Sequence, residues 1–68
     1  MVLPEVGKLY QHFKGHIYSV EGIAKHSETL ELMIIYKDPI GGDLWARPAS
    51  MWFDHIERDS YKGPRFRS

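Results

Sequence analysis

The chain has no cysteine. That removes disulfides, thiolate zinc sites and thiol nucleophiles together. It also lacks an apolar run near the roughly 20 residues that a membrane-spanning helix needs. Met1-Val2-Leu3-Pro4-Glu5 lacks the charged-then-apolar layout of a signal peptide. There is no excess of charge: nine Lys and Arg balance nine Asp and Glu. General nucleic-acid binders carry a strong positive balance, so only a local basic patch remains open. No repeat, low-complexity tract or second domain is visible. These absences lead to one cytoplasmic domain over residues 1–68, with no membrane partner and an extended tail from about residue 59.

What is present is aromatic. Two Trp, four Tyr and three Phe serve a chain of only 68 residues. Each such ring buries roughly 150–250 Å², which suits a domain too small to be stabilised by core volume alone.

Val6 to Phe13 reads as a first strand, with Leu9 and Phe13 on one face and Tyr10 and His12 on the other. Lys14-Gly15 marks a turn. Ile17 to His26 is a second strand. Tyr18 and Val20 alternate, and then the apolar phase slips at Gly22 to Ile23, as a bulge or sharp bend requires. His26-Ser27-Glu28-Thr29 is a hairpin turn. Leu30 to Tyr36 is a third strand, apolar on both faces. Lys37 to Asp43 is a loop by composition. Leu44 to Arg47 is a fourth strand, stopped by Pro48, which has no N–H to donate. Pro48 opens a helical turn over Ala49 to Met51, and Phe53 to Glu57 is a fifth strand. Arg58 to Ser68 is polar and broken by Gly63-Pro64, with Tyr61 or Phe66 as its anchor. The predicted core is Leu9, Phe13, Tyr18, Val20, Leu32, Ile34 and Phe53 or Ile56. The predicted fold is all-β: a small SH3-like five-stranded barrel with one short helical turn before the last strand. Closure would remove the free edges of the sheet.

The segments Tyr10-Gln11-His12-Phe13-Lys14-Gly15-His16-Ile17-Tyr18, Ile23 to Thr29, Trp45-Ala46-Arg47-Pro48 with Met51 and Phe53, and Pro64-Arg65-Phe66 together resemble the small bacterial DUF1653 family. The match runs from about Tyr10 to Phe66. Its specificity lies in the combination of an HFKG turn, an HSET turn and a WxRP strand. The resemblance implies an SH3-type barrel in a bacterial cytoplasmic protein, and it favours a docked tail at Pro64-Arg65-Phe66. It implies no activity, because the family is uncharacterised. Trp52 departs from the family pattern, where a smaller aliphatic residue is expected.

Trp45 and Arg47 are the foremost ligand candidates. Two residues apart on a strand, they share a face. With Leu44 and Ala46 serving the core from the other face, the ring stacks on a planar ligand and the guanidinium grips an anion. The competing reading has Trp45 lidding the barrel and Arg47 paired to an acid. His26, Ser27, Glu28 and Thr29 hold a base, a nucleophile and a carboxylate. A catalytic triad, however, is assembled from separate elements, so this loop reads as a turn, or next as a source of ligand hydrogen bonds. Lys14 could hold a phosphate at its turn, against a plain hairpin with a solvated lysine. Arg65 could flank a nucleic acid, against an Arg65–acid pair beside a docked Phe66. The four histidines, His12, His16, His26 and His55, lack any zinc-type spacing, so neither a metal nor a cofactor is assigned.

The reading is therefore a non-enzymatic binding module, with no catalytic residue assigned. Its partner would be a small polar or planar ligand, a peptide or an exposed nucleobase of a nucleic acid. One alternative is a small hydrolase acting through His26 or Glu28. The other is an interaction module, a monomer or weak homodimer that associates through Trp52.

Overall fold

The computed structural model describes residues 2–68. Strands β1 (Leu9–His12), β2 (Ile17–Lys25), β3 (Leu32–Lys37) and β4 (Leu44–Pro48) lead into a 3-10 turn over Ala49–Met51. Strands β5 (His55–Arg58), β6 (Tyr61–Pro64) and β7 (Phe66–Arg67) follow. Five strands form an antiparallel sheet in the order β4-β3-β2-β1-β7, and β5 pairs only with β6.

The sheet is open rather than closed into a barrel, with β4 and β7 as its edges. The reason lies in β5. It turns straight back through Asp59-Ser60, so that Arg58 faces Tyr61 and its ladder is engaged in the hairpin. The place beside β1 falls to β7 instead, where His12 faces Phe66. The segment after residue 58 is thus two strands rather than a loose tail. Arg65 fastens it twice: its N–H donates to Asp54 O at 2.8 Å, and its carbonyl accepts from Phe13 N at 2.8 Å.

The first hairpin fixes which face of β1 is buried. His12 N–H donates to His16 O at 2.7 Å, and Gly15 N–H donates to His12 O at 2.8 Å. Gly15 sits at φ 106°, a conformation that a side chain would oppose. Three residues therefore make the turn, and Tyr10 lies opposite Tyr18. Tyr10 is 5% exposed while Leu9 is 54% exposed, the reverse of the sequence expectation. Downstream, the register slips between Val20 and Gly22, where the bulge was expected.

The core is Tyr10, Val20, Ile34, Tyr36, Ala49, Trp52 and Phe66, with Tyr18, Leu32 and Phe53 half-buried against it. Ile56 is buried as well, whereas Phe13 is only half-buried. Trp52 is fully buried, so it offers no surface for a second copy. It stacks on Phe66 with ring centres 3.8 Å apart and planes 3° from parallel. Ala49 and Trp52, three residues apart, point inward together as a 3-10 turn dictates.

Candidate ligand-binding face

Strand β4 pairs with β3 so that Trp45 lies opposite Tyr36 and Arg47 opposite Ile34. Paired residues share a face, and Tyr36 and Ile34 are core residues. Trp45 and Arg47 therefore sit on the inner face of the sheet, at its edge. Leu44 and Ala46, expected in the core, point the other way and are exposed. The shared face survives, but its side is inverted. Trp45 is still 52% exposed because β4 has no neighbour beyond it.

Arg47 is half-buried, and its guanidinium carbon lies 5.8 Å from the centre of the Phe66 ring. Its Nε is buried without a hydrogen-bond acceptor. Among the described residues it makes no ion pair. An aromatic face compensates a cation only weakly, so this charge is incompletely satisfied.

The neighbour that registers this is His12. Its ring packs edge-on against Phe66 at 5.0 Å and tilts over Phe13 at 4.5 Å. Burial holds its pKa below the usual histidine value, and the charge of Arg47 adds to that, followed by Arg65, Lys14 and His16. The neutral ring is in use: its Nδ1 accepts the Lys14 N–H at 3.1 Å. Three of the expected site residues, Lys14, Arg47 and Arg65, thus surround one imidazole. Arg65 is the most constrained of them. It grips Asp54 with two bonds, Nε to Oδ1 at 2.9 Å and one terminal nitrogen to Oδ2 at 3.0 Å. That pairing raises the Arg65 pKa and depresses that of Asp54.

The His26–Thr29 loop is not part of this group. It follows Lys25, which faces Leu32, four residues along β3 from the position of Trp45. That is about 14 Å at a strand rise of about 3.4 Å. The His26 Nδ1 accepts the N–H groups of Glu28 at 3.2 Å and Thr29 at 3.3 Å. Thr29 Oγ1 accepts the Glu31 N–H at 3.2 Å. His26 therefore holds its turn as His12 holds the first one. Ser27 and Glu28 are exposed, and neither side chain is engaged by the imidazole.

Sequence reasoning placed Tyr18 in the core and Phe66 as an anchor, but assigned neither these nor His12 and Tyr36 to the site, where they build the floor of this face. Their rings form a mutual edge-to-face set: Tyr18–Tyr36 at 5.2 Å, Tyr36–Phe66 at 5.7 Å and Tyr18–Phe66 at 6.0 Å. The surface is shallow. Two hollows lie elsewhere, one of about 420 Å³ against Phe13 and Tyr61, the other of about 510 Å³ against His16 and Ile40. Neither is lined by Trp45 or Arg47. Among the described residues no three His, Asp or Glu side chains gather as a metal site would need. No helix of the described residues is long and apolar enough to cross a membrane.

No curated protein matches the chain. Among solved structures, a crystal structure of a DUF1653 protein from Bordetella bronchiseptica is similar over 96% of this chain and 86% of that one, with TM-score 0.79 and 26% identity. The family described as "Protein of unknown function (DUF1653)" matches residues 8–68. The chain belongs to the DUF1653 family.

Proposed function

We propose that the protein is a non-enzymatic binding module whose ligand is planar and anionic and lies across Trp45 and Arg47. The observation that carries this reading is the pairing of an indole left half-exposed with a half-buried guanidinium that makes no ion pair among the described residues. A guanidinium partly removed from water, with its Nε left without an acceptor, costs free energy, and an anion arriving from solvent would offset that cost. The indole would supply a stacking plane at the open edge. The floor of Tyr36 and Phe66 belongs to the buried core, so it is formed before the ligand arrives and the cost of ordering it is not charged to binding. Both imidazoles at the hairpin ends are occupied by backbone N–H groups. Nothing here favours hydrolysis through His26 or Glu28.

The test is a titration with a nucleoside 5′-monophosphate as probe, followed by amide and indole NMR shifts. The Trp45 indole and the amides of residues 45–47 should move together. Trp45→Ala should weaken binding tenfold or more, since a stacked base is worth about 1–3 kcal/mol. Arg47→Lys should weaken it less than Arg47→Ala, because it keeps the charge and loses the planar fork. Shifts confined to residues 26–29 would refute this placement.

A further inference from the structure

A second surface is built differently. Between the β1–β2 turn and the β5–β6 turn lies the hollow of about 420 Å³, lined by Phe13, Lys14, Arg58, Asp59, Ser60 and Tyr61. Its floor is a pair of stacked rings, Phe13 on Tyr61, 5.7 Å apart. A cation stands over each ring: Lys14 Nζ is 5.9 Å from Phe13, and the Arg67 guanidinium is 5.9 Å from Tyr61. Arg58, at the end of β5, completes the rim.

None of these three cations has an acid partner among the described residues. Only one carboxylate, Asp59, lines the hollow. The chain is neutral as a whole, yet residues 58–67 carry four cations and that single acid. Of the four, Arg65 is held by Asp54, and Lys62 lies opposite Glu57 across the hairpin. Arg58 and Arg67 are left, and Lys14 joins them from the first turn.

The arrangement is wrong for a single small phosphate. Such a site usually converges backbone N–H groups on one point. Here the Lys14 and Gly15 N–H groups are already bonded to His12. What remains is two cations lining an open, apolar-floored hollow, Lys14 and Arg58, and a third, Arg67, beside it against the Tyr61 ring. That suits a run of phosphates, each meeting one cation.

We propose that this hollow and the adjoining Arg67 dock the phosphodiester backbone of a nucleic acid, with Lys14 and Arg58 as phosphate contacts in the hollow and Arg67 as the contact beside it. Contacts of this kind position a strand and carry no sequence information. The assignment is independent of the ligand proposed for Trp45 and Arg47, which lie outside this hollow.

The experiment is fluorescence anisotropy with a labelled single-stranded oligothymidylate, over a series of salt concentrations, with a duplex of equal length in parallel. Three neutralised phosphates predict a log–log salt slope near −2 for the single strand, so affinity should fall roughly twentyfold between 50 and 200 mM salt. Arg58→Ala and Arg67→Ala should each flatten the slope by about 0.7, and Lys14→Arg should preserve it. All three side chains are exposed or at turns, and unchanged melting temperatures will confirm intact folds. Lys25→Ala, an exposed cation outside the hollow, should leave the slope unchanged. Absence of binding to both nucleic acids at low salt would overturn the proposal. So would a salt slope untouched by Arg58→Ala and Arg67→Ala, or equal competition by polyglutamate at matched charge.

Discussion

Phe66→Ala tests whether the end of the chain is part of the fold or an ornament on it. Phe66 is 1% exposed. Its ring lies flat on Trp52 at 3.8 Å and meets His12 at 5.0 Å, Tyr36 at 5.7 Å and Tyr18 at 6.0 Å. Removing it leaves a void that these rings cannot fill without leaving their strands. Buried Phe→Ala changes cost about 3–5 kcal/mol. A domain this small has about 3–5 kcal/mol in total, so the variant should be largely unfolded at 37 °C. Phe66→Leu keeps most of the volume and loses the stack, for about 1–2 kcal/mol. In a domain of this size that lowers the melting temperature by roughly 5–15 °C. The assay is thermal and urea unfolding by circular dichroism. It is repeated in a Trp45→Phe background, so that Trp52 fluorescence alone reports the core. If Phe66→Ala melts within about 2 °C of the parent and Trp52 emission stays blue-shifted, the tail does not complete the core.

Two further outcomes follow from local chemistry. Asp54 has its pKa depressed, first by the Arg65 hydrogen bond, so its contribution is complete above the unfolded carboxylate value near about 4 and is lost as pH falls through the lower folded value. The gap between Asp54→Asn and the parent should therefore narrow as acid is added; equal gaps at about pH 7 and about pH 2.5 would refute the linkage. Leu30 is 67% exposed and sits at φ 64°, a left-handed conformation that costs a branched side chain about 1 kcal/mol or more. Leu30→Gly should raise stability by about 0.5–1 kcal/mol in urea titration, and a loss of stability would mean the side chain has a packing role.

Much of this fold was legible as spacing. The bulge near Gly22, the stop at Pro48 and the helical turn over Ala49–Met51 all stand where residue chemistry puts them. What spacing could not supply was parity. A two-residue turn at Lys14-Gly15 would set Leu9 beside Val20, whereas the three-residue turn sets Tyr10 beside Tyr18. One residue of turn length flips a whole strand, and so Leu9 left the core and His12 entered the site. A separate parity, that of β4 on β3, puts Trp45 and Arg47 on the inner face, although their common face was read correctly. Trp52 was legible in principle: a helical turn starting at Ala49 brings position 52 to the same side. Reading it as a departure from the family pattern and as a dimer contact hid that. An Arg65–acid pair beside a docked Phe66 was one of the two readings of the tail, but its acid, Asp54, had no local signal, since the partners meet only through the fold.

The pairing of β1 with β7 also has a consequence for how the protein is made. During synthesis β1 to β4 emerge first, and they present Tyr10, Tyr18, Val20, Ile34 and Tyr36 on one bare face. Trp52 comes next, but the ring that stacks on it, Phe66, comes last of all. A ribosome-bound chain therefore holds an uncovered aromatic sheet until residue 66 clears the exit tunnel. Closure of the core then waits on β7, whose long-range pairing with β1 can form only after the six strands before it have been synthesised.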